Sequence, residues 1–187
     1  MSTREMVLEA AVELLGTQGL RALTHARADE AAGVPRGSAS NYFRTRAALL
    51  AGVVEWIVRE EIAGLDAGQE APGALPSTVE GLVELLAGTV ERLTGPFRVR
   101  TTARYILFLE GTHDDDVRRP LLAGRAGFRA FAEAALAALG AADPALAATA
   151  VMALGEGLIM HRLAVDPDAD VRGAIDAAVR GFVDRRP

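Results

Sequence analysis

The chain is organised as helical segments that follow one another with short breaks, and this pattern limits the folds that it can adopt. Apolar residues recur at intervals of three and four, as at Val7, Ala11, Leu14 and Leu15, which places them on one face of a helix. No segment shows the alternation of apolar and polar residues that a half-buried strand requires. Alanine and leucine also predominate over β-branched and aromatic residues, which favours helices. The sequence therefore predicts an all-α protein.

Caps and breaks indicate about nine helices. Ser2 and Glu5 have the spacing of a capping box, and Gly19 is placed to stop the first helix. Thr24 is a candidate N-cap for a short second helix that ends at Gly33. A third short helix follows the turn after Gly33.

A long helix is predicted from residue 45 or 46 to about residue 65, and the stretch "DAGQEAPGALPST" that follows has the composition of a loop. Further helices are predicted over residues 77–94, 97–111, 115–139, 144–165 and 168–185. The predicted domains are a helix-turn-helix unit at 1–46 and a six-helix bundle at 47–187.

The composition excludes several classes of site. The chain has no cysteine, so it can form neither a disulfide framework nor a thiolate metal site. Its first residues lack the uninterrupted apolar segment of a signal peptide. The apolar stretch "ALAATAVMALGEGLIM" is interrupted by Gly155, Glu156 and Gly157, which favours a buried helix over a membrane span. We therefore expect a soluble cytoplasmic protein with no membrane partner.

Charge is distributed unevenly along the chain, whose net charge is −5. Residues 1–50 hold six arginines and five acidic residues, while the remainder holds fourteen arginines and twenty acidic residues. Phosphate binding depends on the local patch of charge, so a locally basic N-terminal region can still bind DNA.

The stretch "AGVPRGSASNYFRTRAALL", residues 32–50, has the residue types of a DNA-reading turn and helix. Gly33 permits the left-handed backbone of a tight turn, and Val34 and Phe43 are candidates for the small core beneath it. Residues 37–40 are small, which would let the helix backbone approach the bases. Arginine can grip guanine and asparagine can grip adenine through paired hydrogen bonds.

Residues 4–50 resemble the DNA-binding domain of the TetR family of bacterial transcriptional regulators. The matching pieces are "VLEAAVELLGTQGL", Thr24, "AAGVPRGS", "NYF" and "RTRAALL". Ala28, Asp29, Pro35, Ala39 and Ser40 depart from the residues that are usual in the family. The resemblance implies a dimer whose larger helical domain binds a small molecule and whose last two helices form the subunit interface.

The candidate DNA-binding residues combine this turn and helix with polar groups before and after it. Thr24 is either a cap alone or also a phosphate contact, and Arg4 and Arg27 are either DNA contacts or solvated surface. Tyr42 is either half core or a DNA contact. The full candidate set is Arg4, Thr24, His25, Arg27, Arg36, Gly37, Ser38, Ser40, Asn41, Tyr42, Arg44 and Arg46.

Two further sets concern the predicted bundle. Ligand pockets are mostly apolar with a few polar anchors, although these residues can equally be ordinary core. The candidate effector contacts are Trp56, Phe97, Tyr105, Phe108, Glu110, Phe128, Phe131, Met152, Glu156 and Met160. The apolar surfaces of the last two helices need cover, from the same chain or from a partner. The candidate dimer contacts are Leu146, Val151, Leu154, Leu158, Val171, Ile175, Val179 and Phe182.

No residue pattern indicates an enzyme. The acidic run at residues 113–116 fits a helix start better than a metal site, because it contains a single histidine. We expect no cofactor and no metal. The sequence favours a dimeric regulator, most simply a repressor, that binds an inverted-repeat operator on double-stranded DNA and is released by a small-molecule effector. The alternative is an all-helical small-molecule-binding protein or enzyme without specific DNA binding.

Overall fold

The computed structural model describes residues 1–66 and 75–184, with the backbone alone at 61–66. These residues form nine α-helices and no strand. The helices are α1 Thr3–Gln18, α2 His25–Ala32, α3 Ser38–Tyr42, α4 Arg46–Asp66, α5 Val79–Thr94, α6 Arg98–Glu110, α7 Asp115–Ala138, α8 Pro144–Ala164 and α9 Val171–Val183. The predicted all-α fold, with three helices followed by six, is confirmed. Residues 67–74 of the predicted loop lie outside the described residues.

Local capping explains where the first helices begin. The Ser2 hydroxyl accepts a hydrogen bond from the Glu5 backbone N–H at 3.3 Å, and the Glu5 carboxylate accepts one from the Ser2 N–H at 2.9 Å. This bond to the Ser2 N–H lowers the pKa of the Glu5 carboxyl. The Thr24 hydroxyl accepts from the Arg27 N–H at 3.2 Å. The capping roles predicted for Ser2 and Thr24 are therefore confirmed.

The described residues pack as two compact units, the first of which includes residues 1–66 and 98–124. In this unit α1 packs against α2, α3, α4 and α6. The approach of α1 to α6 is close, because a Cβ atom at Gly16 would collide with the backbone carbonyl of Val99. By packing, α4 and α6 thus share a core with α1. The predicted functional boundary between residues 46 and 47 stays a prediction.

The second unit includes the described residues 75–97 and 125–184, and in it α5, α8 and α9 pack against one another. Arg180 on α9 bonds Glu80 on α5 at 2.6 Å and Asp176 at 3.0 Å. This contact lowers the pKa of Glu80 and raises that of Arg180. The unit buries apolar residues of all three helices: Leu82, Val83, Val90, Ala147, Val151, Ile159, Val171, Ile175 and Val179.

The acidic run at the start of α7 has the local role that its position predicts. The Asp114 carboxylate accepts from the Asp116 N–H at 2.9 Å. Asp115 pairs with Arg118 at 2.7 Å, and Asp116 pairs with Arg119 at 3.1 Å. Negative charge is favourable at a helix N-terminus, so these contacts account for the run as a helix start.

Helix α8 is apolar on nearly every side. An 18-residue window of it has a mean hydropathy of 1.3, yet only 22% of that window is buried within the chain. By length and composition alone this helix could cross a membrane, a test that core helices of soluble proteins also pass. Much of its apolar surface is therefore without cover in the single chain.

Candidate nucleic-acid interface

The link between α2 and α3 is a tight turn that depends on two glycines in left-handed backbone. Gly33 has φ 65° and ends α2, while Gly37 has φ 92° and precedes α3. The Val34 N–H donates to the Asp29 carbonyl at 3.1 Å, which closes the first part of the turn. The predicted turn at Gly33 is confirmed.

One side of α3 belongs to the core of the first unit. Ala39 is fully buried, and Phe43, directly after the helix, is 5% exposed. Val34 also packs against this core. The core positions predicted for Phe43 and Val34 are confirmed. The expectation that Ala39 helps the exposed backbone approach DNA is wrong, because its methyl group points into the protein.

The opposite side of α3 and its flanks present polar side chains to solvent. Tyr42 is 49% exposed, with its ring centroid 6.4 Å from that of Phe43, so it is not a core residue. Seven predicted contacts are exposed on one short stretch of chain: Arg36, Gly37, Ser40, Asn41, Tyr42, Arg44 and Arg46. Arg36, Arg44 and Arg46 are cationic. Arg36 and Asn41 carry groups that can form paired hydrogen bonds with base edges.

Arg46, His25 and Ser38, three of the predicted DNA-binding residues, form side-chain hydrogen bonds to backbone carbonyls of the same unit. The Arg46 guanidinium donates to the carbonyls of Leu20, at 2.9 Å, and of Leu23. His25 Nε2 bonds the Phe43 carbonyl at 2.6 Å. The Ser38 hydroxyl donates to a turn carbonyl at 2.6 Å. These contacts fix the ends of α2, α3 and α4, so the three residues help to build the interface.

The remaining predicted contacts lie on α1 and at the start of α2. The Arg4 guanidinium stands 5.3 Å from the centroid of the Phe43 ring. Arg27 is exposed and bonds the Gln18 side chain, and the Thr24 side chain is exposed beside it. Their DNA contacts stay a prediction.

The sequence reading missed Asp29, a carboxylate that is 2% exposed. Its Oδ2 atom accepts from the Gly37 N–H and its Oδ1 atom from the Ala39 N–H, both at 2.7 Å. The signal in the sequence was an acid at a position where the TetR family usually has a small residue, followed by a glycine at the N-cap of the next helix. Asp29 therefore connects α2 to the first turn of α3.

The predicted effector contacts are divided between the two units. In the first unit, Trp56 is 6% exposed and its Nε1 donates to Glu9 of α1 at 3.0 Å. Tyr105 and Phe108 are half-buried on α6, with ring centroids 6.2 Å apart. Glu110 is half-buried at the end of the same helix. Trp56 is thus engaged with α1, and its role as an effector contact stays a prediction.

In the second unit, the predicted anchor Glu156 forms an ion pair with Arg125. Phe97 and Met160 are 39% and 41% exposed. Phe128, Phe131 and Met152 are half-buried. A shallow, open groove of about 300 Å³ lies along α1 and α2, and its lining contains none of the predicted effector contacts.

The predicted dimer contacts separate into buried and accessible residues. The α9 stripe of Val171, Ile175 and Val179 is 0–2% exposed and packs within the chain, as does Val151 at 3%. Assigning these four to the interface is wrong, because α9 turns this face toward its own chain. Leu146 is 58% exposed. Leu154, Leu158 and Phe182 are half-buried.

Two family matches cover most of the chain. Residues 7–53 match the family described as bacterial regulatory proteins, tetR family. Residues 77–185 match the family described as tetracyclin repressor-like, C-terminal domain. No curated protein matches the chain.

Solved structures show the same fold. A transcriptional regulator from Rhodococcus sp. Rha1 is 16% identical, with a TM-score of 0.80 and all of both chains covered. The multidrug binding protein EbrR, complexed with ethidium, is 23% identical, with a TM-score of 0.75 over 97% of this chain and 99% of that one. NalD, the secondary repressor of the MexAB-OprM multidrug efflux pump in Pseudomonas aeruginosa, is 22% identical, with a TM-score of 0.68 over 97% and 96%.

Proposed function

We propose that this chain, which belongs to the TetR family of bacterial transcriptional regulators, is a cytoplasmic repressor released from DNA by a small molecule. It binds an inverted-repeat operator as a homodimer, without enzymatic activity. The observation that carries the proposal is the exposed polar side of α3, held on a buried core by Ala39 and Phe43.

Base reading is assigned to the exposed residues of α3 and to Arg36 in the turn that precedes it. Arg36 can donate two hydrogen bonds to one guanine, and Asn41 can pair with adenine in the same way. Arg44 and the start of α4 supply charge and backbone N–H groups for a phosphate. Tyr42 adds an exposed hydroxyl and ring at the same surface.

The dimer is assigned to the accessible faces of α8 and α9. Leu146, Ala153, Gly157 and Met160 are exposed at helical spacing and form an apolar stripe along α8. The exposed face of α9 carries the small residues Gly173, Ala177 and Gly181. A two-fold interface between these faces would cover the apolar surface of α8 and let the helices approach closely. A two-fold dimer also carries two copies of α3, one for each half-site of an inverted repeat.

The effector is proposed to be a small, largely apolar molecule. EbrR is described as a multidrug binding protein complexed with ethidium in one structure and with proflavin in another. These two cationic dyes are therefore suitable first probes for this chain. Glu156 is a candidate anchor for a cation, in exchange for its present partner Arg125.

Release from DNA is proposed to pass through α4. This helix begins directly after α3 and packs on α1, so its displacement would change the separation of the two reading helices. An effector can shift the equilibrium only if it binds the displaced state more tightly than the DNA-bound state.

The function is tested by selecting bound duplexes from random DNA. The proposal predicts enrichment of an inverted repeat. In about 0.2 M salt, roughly physiological strength, the protein should bind this sequence more tightly than random duplex, because base contacts add to the salt-sensitive phosphate contacts. Ethidium or proflavin should then raise the dissociation constant for that sequence. Recovery of no common sequence after selection would reject DNA-specific regulation.

A further inference from the structure

The first turn of α3 lacks a capping side chain of its own. Its N-cap residue is Gly37, which has no side chain and stands at φ 92°. Helices expose unsatisfied N–H groups at their first turn, and an N-cap side chain usually accepts from one of them. In this chain the acceptors come from α2 instead.

Asp29 supplies both acceptors. Each of its two carboxylate oxygens receives a backbone N–H at 2.7 Å, one from Gly37 and one from Ala39. The residue is 2% exposed, so water does not compete for these bonds. Hydrogen bonds to an ionised acceptor are stronger than neutral ones, and their geometry fixes the donor groups relative to the carboxylate.

We propose that Asp29 is the positioning residue of the DNA-reading helix, which sets the placement of α3 on α2 through these two bonds. The inference rests on the proposed DNA binding. Arg36 lies next to Gly37, and the exposed residues of α3 follow Ala39. Loosening either bond therefore displaces the groups that read bases, while the apolar core under α3 keeps the unit folded.

The test substitution is Asp29→Asn, with Glu30→Gln as the matched control. Glu30 is the next residue on α2 and is exposed, so its substitution removes the same charge without touching α3. Loss of a negative charge near DNA reduces repulsion from phosphates and by itself strengthens binding. For Asp29→Asn, the lost charge thus predicts tighter operator binding, whereas lost positioning predicts weaker binding. Positioning is lost because asparagine offers one acceptor and turns a donor toward the second N–H.

Operator dissociation constants are measured by fluorescence anisotropy at a temperature where circular dichroism shows each variant folded. The expected result is binding about tenfold weaker for Asp29→Asn, and unchanged or tighter for Glu30→Gln. Equal or tighter binding by Asp29→Asn overturns the inference and leaves the proposed function standing. Failure of the unsubstituted protein to distinguish operator from random duplex rejects the function instead.

Amide hydrogen exchange tests the inference in the unsubstituted protein, without DNA and without the Asp29→Asn variant. In the unsubstituted protein, the amide protons of Gly37 and Ala39 should exchange at least about tenfold more slowly than in an unfolded peptide. Exchange of both amides at the unfolded rate would show that the carboxylate does not hold them, and would overturn the inference.

Discussion

The two compact units differ in the contacts that their surface side chains make. In the first, side chains reach far along the sequence to fix backbone or ring positions, as Asp29, His25, Arg46 and Trp56 do. In the second, Arg172 and Arg180 of α9 form exposed ion pairs with Glu84 and Glu80 of α5, while α8 keeps apolar side chains in solvent. The residues that hold the α3 surface thus belong to the same unit, whereas much of the apolar surface of α8 stays uncovered within the chain.

The largest expected effect comes from placing a charge on the uncovered face of α8. A Cβ at Gly157 meets no atom within 4 Å, so Gly157→Glu fits the folded chain and favours helix. At a two-fold interface the charge is buried twice without a partner, which should raise the dimer dissociation constant roughly a thousandfold. Analytical ultracentrifugation measures this change.

The matched control for that substitution is Gly127→Glu on α7. Gly127 is exposed and its Cβ would also meet open space, but it lies on neither α8 nor α9. It should leave the dimer intact. Equal dimer dissociation constants for the two variants would show that α8 does not lie in the proposed interface. The contrast drawn between the two units would then be wrong.

The next largest effect concerns the reading surface itself. Replacing both Arg36 and Tyr42 with alanine should weaken operator binding about a hundredfold, because exposed base contacts are lost while the core remains. Thermal stability and dye binding should be unchanged. The control is Arg129→Ala, which removes the charge of an exposed arginine on α7, distant in sequence from α3. It should not alter operator affinity. An unchanged affinity in the double variant would favour the alternative of a small-molecule-binding protein without specific DNA binding.

The helices and the turn could be predicted because their signals are local. Ser2 with Glu5, Thr24, and Asp143 before Pro144 each act within three residues of a helix start. Gly33 adopts the left-handed backbone that ends α2. Such contacts are encoded in short stretches of sequence, so the helix bounds follow closely from them.

A moderate effect is expected where α4 meets α1. Glu9→Ala removes the acceptor for Trp56 Nε1 and should lower the free energy of unfolding by about 1 kcal/mol. Trp56 is the single tryptophan of the chain, so its fluorescence spectrum should shift as well. Glu13→Ala, at an exposed glutamate one turn later, should change neither quantity. Unchanged fluorescence in Glu9→Ala would argue against a fixed contact between α1 and α4.

The smallest effect concerns the exposed ion pair between α5 and α9. Arg180→Gln should raise the pKa of Glu80 toward its ordinary value of 4.5. A lowered carboxyl pKa stabilises the fold above that value, and the contribution is lost as the pH falls through the folded-state pKa. The variant should therefore lose slightly in melting temperature at pH 7 and nothing at a pH below the Glu80 pKa. NMR titration of Glu80 measures the shift, and Arg172→Gln should leave it unchanged.

Contacts across distant segments could not be predicted from the sequence. An apolar stripe on α9 shows that one face is covered, but not whether its own chain or a partner covers it, and the prediction that Ile175 lies at the subunit interface is wrong for this reason. A five-residue helix is too short for periodicity to show that Ala39 faces inward. The bonds of Asp29 to α3 depend on how two helices cross, so the unusual acid at residue 29 marks the position without showing its partners.

The most direct test of the central claim compares a selected inverted-repeat operator with the same duplex after one half-site is scrambled. Anisotropy titrations at a fixed salt concentration measure both dissociation constants. A dimer that reads each half-site with one α3 should bind the scrambled duplex about a hundredfold more weakly. Equal affinity for the two duplexes would contradict a dimer that reads two half-sites through α3.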